Sequence, residues 1–152
     1  MMENLPPIEK IYEAYSAIAD ERIQISDSNA FVKSSDYSKE YTVSFQDNVY
    51  SSNDNGTYWK GYAGYPVIAT MMLQGRLSLD NNIAVLFKAI NWKELNSKHK
   101  GKYDRAVATI IDQLVQQGID SENIFDEVDK VYSELKALDI SVKRNTKRPR
   151  KL

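Results

Sequence analysis

Apolar residues recur at helical spacing near the start of the chain and through most of its second half. In residues 8–19 they stand three or four positions apart, which predicts a helix of about four turns. The same period returns after Pro66 in several segments, so we expect four or five further helices. The two longest segments, residues 103–115 and 124–138, are separated by Gly118 and a few polar residues. Such closely joined amphipathic helices predict an antiparallel helical hairpin at the C-terminal end of the fold.

Between residues 22 and 62 the pattern changes to the alternation that is typical of strands. In residues 39–46 every second residue is apolar, and two shorter runs upstream can supply one or two more strands. Asn55-Gly56 stands between two further runs and predicts a hairpin whose second strand is residues 57–62. We therefore expect an antiparallel meander of three to five strands.

Together these patterns predict an α+β fold. An N-terminal helix is followed by a small antiparallel β-meander, and then by four or five helices that cover one face of the sheet. Because no long linker interrupts the chain, residues 1–140 are expected to form a single globular domain. Residues 141–152 are too polar to fold alone and are expected to form a basic, flexible C-terminal tail.

Composition excludes several classes of site. The chain has no cysteine and one histidine, so we expect no disulfide, no thiolate chemistry, no metal and no cofactor. No charge-poor run is long enough to cross a membrane, and the charged N-terminal region does not resemble a signal peptide, which favours a cytoplasmic protein.

For catalysis, no familiar motif is present and no catalytic residue is assigned. Carboxylate pairs on helices, such as Glu9 with Glu13, are expected to lie on solvated faces. An enzyme assembled from scattered carboxylates would need a concave pocket that holds at least two titratable groups.

Charge is distributed unevenly along the chain. The net charge of −1 combines 20 basic and 21 acidic residues, but six of the basic residues lie in the last ten positions, where there is no acid. The remaining residues carry 14 bases against 21 acids, a net charge of −7. The C-terminal tail is therefore a candidate contact for nucleic acid or for an acidic protein. Its basic residues are Lys143, Arg144, Lys147, Arg148, Arg150 and Lys151.

The aromatic stretch at residues 57–68 suggests a second, weaker contact element. Its tetrapeptide Lys60-Gly61-Tyr62-Ala63 resembles the first half of the ribonucleoprotein octamer of RNA-recognition domains. The fifth position of that octamer is a base-stacking aromatic residue, and here it is Gly64, so the family is not assigned. If residues 57–62 form a strand, Tyr58, Lys60 and Tyr62 share one face, and Trp59 on the other face packs under a helix.

The leading hypothesis is a small non-enzymatic binding protein that contacts a macromolecule through its basic tail, with Tyr58, Lys60 and Tyr62 as a secondary platform. One alternative is a protein–protein interaction module, a homodimer or complex subunit, built on the helical hairpin. A second alternative is an enzyme that uses scattered carboxylates.

Overall fold

The protein has the predicted α+β fold in a computed structural model that describes residues 4–152. An N-terminal helix is followed by four strands, five further α-helices and two C-terminal strands. A single π-helical turn at Gly56–Lys60 and a 3-10 turn at Val85–Phe87 interrupt this order. The α-helices are α1 Lys10–Ala19, α2 Tyr65–Leu73, α3 Asn81–Ala84, α4 Trp92–Lys98, α5 Tyr103–Gln116 and α6 Ser121–Ala137.

The first four strands form the predicted antiparallel meander, and two C-terminal strands extend it. The fifth strand pairs in parallel with the fourth, and the short sixth strand pairs with the third. The hairpin between the third and fourth strands turns at Asp47 and Asn48, where Asp47 has a φ of 55°. The strands are β1 Ile23–Ile25, β2 Asn29–Lys33, β3 Lys39–Gln46, β4 Val49–Ser52, β5 Ser141–Arg144 and β6 Arg150–Lys151.

Helix α1 lies at the centre of the molecule. The sequence predicted one apolar stripe, but all eight residues from position 10 to position 17 are buried. The helix contacts α2, α3 and α6, and the rings of Tyr12 and Tyr15 pack against Phe87 with centroid distances of 5.1 and 6.0 Å. Its polar side chains therefore face protein on every side and need partners inside the fold.

The predicted strand at residues 57–62 is wrong, and so is the predicted hairpin at Asn55-Gly56. Asn55 has a right-handed helical φ of −59°, and the backbone N–H of Tyr58 donates to the carbonyl oxygen of Asp54 at 2.8 Å. The carboxylate of Asp54 accepts a second hydrogen bond, from the N–H of Thr57 at 3.2 Å. Helix-type bonds of this kind close a helical turn where the alternation of residues suggested a strand.

Residues 141–152, which were expected to form a flexible tail, lie along the sheet in this structure. Asn145 N–H donates to the carbonyl oxygen of Ser52 at 2.9 Å, and Leu152 N–H donates to that of Ser38 at 3.0 Å. Asn53 is 4% exposed and connects the two regions: its Oδ1 accepts from Thr42 N–H at 2.8 Å, and its Nδ2 donates to the Lys147 carbonyl at 3.0 Å. Backbone pairing of this kind depends little on side-chain polarity, which is why composition alone did not indicate it.

Ser16 provides a test of the central position of α1. Its Oγ accepts a hydrogen bond from Trp92 Nε1 at 2.7 Å and donates to the Phe87 carbonyl, and all these groups are buried. Substitution Ser16→Ala leaves a buried donor and a buried acceptor without partners, so we expect a loss of about 1–3 kcal/mol in the free energy of unfolding, measured by urea titration. The matched control is Ser26→Ala, because the Ser26 hydroxyl is bonded but exposed. Equal losses in both variants would contradict this account of α1.

Candidate functional site

A cavity of about 400 Å³ lies beside helix α1, where α1 meets the sheet, the π-helical turn and helices α4 and α5. Its floor includes the buried residues Lys10, Glu13 and Asp54. Its mouth includes the exposed residues Trp59 and Lys60. The cavity is of the size that small ligands occupy in proteins, and it concentrates ionisable groups that are rarely buried.

Lys10 and Glu13 form a buried ion pair on one face of α1. Lys10 Nζ lies 3.0 Å from Glu13 Oε2 and 3.9 Å from the centroid of the Tyr103 ring. Burial lowers the pKa of Lys10, but the charge of Glu13 and its hydrogen bond outweigh that effect, so the net pKa is raised and the ammonium stays protonated. Burial raises the pKa of Glu13, and the neighbouring ammonium opposes that shift. A protonated Lys10 donates hydrogen bonds and is not a nucleophile.

Asp54 supplies a second buried carboxyl group, which makes no ion pair within residues 4–152. Its Oδ1 accepts from the Ser52 hydroxyl, and its Oδ2 accepts from the Thr57 N–H. Burial raises the pKa of Asp54, although these hydrogen bonds act to lower it. The Thr57 hydroxyl in turn accepts from the N–H of Gly64 at 3.2 Å, so the π-helical turn holds the carboxyl group against the start of α2.

Two glycines make the close packing around this carboxyl group possible. A Cβ atom on Gly64 would lie 2.0 Å from Asp54 Oδ2, and one on Gly56 would lie 2.6 Å from Cε1 of Tyr62. Gly64 has an ordinary φ of −70°, so space and not backbone conformation requires glycine there. These glycines place the carboxyl group and the Tyr62 ring at the wall of the cavity.

Tyrosine side chains and one amide complete the lining. Burial raises the pKa of Tyr41 to about 12 and that of Tyr65 still further, so both phenols remain protonated donors. Their rings meet edge to face with centroids 6.5 Å apart. The Oδ1 atom of Asn96 is buried and accepts no hydrogen bond within residues 4–152. A buried acceptor without a partner is a position that a ligand or water donor can satisfy.

The predicted aromatic platform is divided between two places. Tyr62 lies in the cavity wall and Lys60 lies at the cavity mouth, whereas Tyr58 points to the C-terminal segment. Trp59, which was predicted to pack under a helix, is instead 71% exposed. A helical turn rotates successive side chains by about 100°, so alternate residues of this segment do not share a face.

All six basic residues of the C-terminal segment are exposed. The structure brings one of them to the aromatic segment, because Arg144 Cζ lies 5.0 Å from the centroid of the Tyr58 ring. Within residues 4–152, the one ion pair that these bases make joins Arg150 Nη1 to Glu40 Oε1 at 3.8 Å. Their role in binding stays a prediction.

Sequence reasoning missed the pocket residues Lys10, Glu13 and Asp54. Glu13 was expected on a solvated face, but it is 6% exposed. A signal was present, since residues 11–19 contain few polar positions and lack the polar face of a surface helix. For Asp54, the signal was an aspartate three positions before Thr57, from where its carboxyl group can cap a helical turn. The dipeptide Asn55-Gly56 obscured this signal, because it is typical of a β-hairpin.

Within residues 4–152, no group of three or more histidine, aspartate or glutamate side chains is placed to hold a metal ion. None of the helices in this range combines the length and the apolar character that crossing a membrane requires.

Comparison with known proteins gives one match. The family model described as "Uncharacterised conserved protein UCP014422" matches residues 3–141. Neither the curated proteins nor the solved structures contain a significant match. All residues that line the cavity lie within the matched range, and the six C-terminal bases lie beyond it.

The raised pKa of Asp54 predicts a dependence of stability on pH. A carboxyl group whose pKa is raised in the folded state favours folding while it is protonated. That contribution is complete below the ordinary value of 3.8 and is lost as the pH rises through the raised pKa. Asp54→Asn should therefore lose less stability than the native protein between about pH 4 and about pH 8, measured by urea unfolding. Asp27→Asn, at an exposed position, is the control. If the free energy of unfolding changes with pH in the same way for Asp54→Asn and for the native protein, the raised pKa of Asp54 is contradicted.

Gly64→Ala tests the packing around the same carboxyl group. Because the new Cβ would overlap Asp54 Oδ2, we expect the free energy of unfolding to fall by about 1–3 kcal/mol. The loss should be smaller in an Asp54→Ala background, where the overlapping atom is absent, and a double-mutant cycle measures the difference. If the two losses are equal, the overlap with Asp54 is not the cause.

Proposed function

Because the chain belongs to the family whose model matches residues 3–141, we propose that the function carried by this domain is the binding of a small molecule in the cavity beside α1. One observation carries the proposal: three ionisable side chains, those of Lys10, Glu13 and Asp54, are buried together at the wall of one open cavity. Burying such groups is costly, and their concentration in a cleft is typical of functional sites.

The polar groups on the cavity floor favour a ligand with nitrogen donors at its inner end. The unpartnered Oδ1 of Asn96 is an acceptor in the cavity lining. The carboxyl oxygens of Glu13 and Asp54 already accept from Lys10, Ser52 and Thr57, but each carboxyl group has room for a further hydrogen bond. Lys10 is already engaged by Glu13 and by the Tyr103 ring. An amino group on the ligand would satisfy these acceptors.

The cavity mouth favours an anionic group at the other end of the ligand. Lys60 is exposed there and makes no ion pair within residues 4–152, and Lys93 lies 3.3 Å from Asp36. The rings of Tyr62, Tyr103 and Trp59 line the space between floor and mouth and suit a planar or apolar middle portion. Nucleoside monophosphates and amino acids share this chemistry, with a nitrogen donor at one end and an anionic group at the other.

The cavity also bears on the alternative of an enzyme. That alternative requires a concave pocket with at least two titratable groups, and the cavity holds such groups. Carboxyl groups whose pKa is raised by burial are suited to holding and transferring a proton nearer neutral pH. Catalysis, a cytoplasmic location and self-association through the helical hairpin remain predictions.

Thermal unfolding of the full chain tests the proposal with two panels, nucleoside monophosphates and free amino acids. A ligand that binds the folded state raises the midpoint temperature with its concentration, and the panel that responds identifies the source of the shared chemistry. Blocking the ligand's amino group, or the substitution Asp54→Asn, should reduce the response by about tenfold or more in affinity. Lys60→Gln should weaken binding of the anionic end by less than that, because Lys60 is exposed.

The matched control is Lys88→Gln, since Lys88 is exposed and does not line this cavity. Its affinity should equal that of the native protein. The proposal fails if neither panel raises the midpoint and mass spectrometry finds no small molecule released from the denatured protein. It also fails if Asp54→Asn and Lys88→Gln bind equally well.

A further inference from the structure

The π-helical turn and the C-terminal segment contact each other at Tyr58. Arg144 of β5 lies over the Tyr58 ring at 5.0 Å, and the Tyr58 ring meets Trp59 edge to face at 4.8 Å. We call the two aromatic residues, together with the six basic residues from Lys143 to Lys151, the basic–aromatic surface. Arg144 therefore brings together two elements that are more than 80 positions apart in the sequence, and the neighbouring bases of β5 and β6 alternate between the two faces of the sheet.

Trp59 is the most unusual member of this surface. Its side chain is 71% exposed, the largest value among the exposed large hydrophobic residues of the described chain. An indole ring in water leaves its apolar face without a partner, and such residues often mark binding sites. Tyr58 supports the ring from one side, and Lys60 follows it in the chain with an exposed ammonium.

The basic side chains are exposed on a backbone that the sheet holds in place. β5 pairs in parallel with β4, β6 pairs with β3, and Asn53 bonds the Lys147 carbonyl between them. A partner would therefore meet charges whose backbone is already ordered, and binding would cost less conformational entropy. Acidic residues near this strip are few: Glu40 pairs with Arg150, and Asp47 lies beside Lys143 in a shallow depression.

One strand pair places like charges opposite each other. Lys39 of β3 is the direct partner of Lys151 in β6. Like charges directly opposite each other in an antiparallel pair are destabilising, and a bound anion would relieve that repulsion. The rest of the chain has a net charge of −7, so this concentration of positive charge is local and not a property of the whole surface.

We propose that the basic–aromatic surface binds single-stranded nucleic acid. Exposed cations contact phosphates, and an exposed indole ring offers a stacking surface to a base that is free of a duplex. An exposed planar ring next to exposed cations matches the alternating bases and phosphates of a single strand, which favours nucleic acid, and an acidic protein is an outcome that the test distinguishes. Trp59 also lines the cavity mouth, whereas none of the six C-terminal bases lines the cavity, so substitutions of those bases test this surface separately from the ligand proposed above.

Fluorescence anisotropy of the full chain with a labelled single-stranded oligonucleotide of about 15 nucleotides tests the proposal. Logarithmic affinity should fall linearly with logarithmic salt concentration, with a slope of about −4 if all six bases contact phosphates. Arg148→Gln or Lys147→Gln should each reduce the size of that slope by about 0.7. Trp59→Ala should weaken binding by about 5- to 100-fold with an unchanged slope, and Trp59→Phe should retain part of the affinity.

Matched controls separate this surface from general charge and from exposed aromatic area. Lys98→Gln and Lys102→Gln remove exposed charges elsewhere, and Phe125→Ala removes an aromatic side chain that is 42% exposed on α6. These variants should bind like the native protein. Equal effects in the two sets would overturn the proposal, as would an absence of binding at low salt.

Two other outcomes would also overturn it. Binding of duplex as tight as that of the single strand, with no effect of Trp59→Ala, would show electrostatic attraction without base stacking. Displacement of the oligonucleotide by an acidic polypeptide whose own binding requires the tail bases but not Trp59 would identify a protein partner.

Discussion

Every residue of helix α1 from position 10 to position 17 is buried, so a polar side chain there is stabilised by partners inside the protein, although the buried hydroxyl of Tyr15 has none within residues 4–152. Ser16 has such partners in Trp92 and the Phe87 carbonyl, and Lys10 and Glu13 are partners of each other. Removing one partner of such a buried ion pair costs about 3–5 kcal/mol, because the other charge is left alone. The position of α1 therefore ties the elements around it to one arrangement, and it also creates the charged wall of the cavity.

The buried residue Asp54 holds the π-helical turn in place, and that turn carries side chains that reach the protein surface. Its backbone oxygen and its carboxylate both accept hydrogen bonds from the turn that follows, and Gly64 allows the carboxyl group to pack against the start of α2. The resulting π-helical turn distributes its aromatic side chains in different directions. Tyr62, just beyond the turn, lines the cavity, and Tyr58 meets Arg144 of the C-terminal segment. One buried carboxyl group thus positions residues of both proposed binding surfaces.

The charged groups of the cavity are buried, whereas those of the basic–aromatic surface are exposed to solvent. In the cavity, burial raises the pKa of Glu13 and of Asp54, and the charge of Glu13 holds Lys10 protonated. On the basic–aromatic surface the side chains are solvated, and their effect on a partner is additive and sensitive to salt. The family match covers the residues that line the cavity but ends before the C-terminal bases.

The sequence by itself determined the elements that depend on neighbouring residues. Helical periodicity predicted the helices that the structure shows as α1, α2, α5 and α6, and the alternation of apolar and polar residues predicted β3. These signals are local, because a hydrogen-bonded turn or a pleat repeats every few residues.

Tertiary structure decided how those elements share their surfaces. It buried Glu13, which was expected on a solvated face of its helix, and it exposed Trp59. It also placed the basic C-terminal segment along β3 and β4. Two of these outcomes depend on residues that are distant in the chain, because α4 and α5 enclose Glu13 and Asn53 bonds Lys147. The third depends on a local turn, which Asp54 closes through the N–H of Thr57. Burial and pairing at a site are set by everything packed around it, and a pattern of neighbouring residues contains no record of those partners.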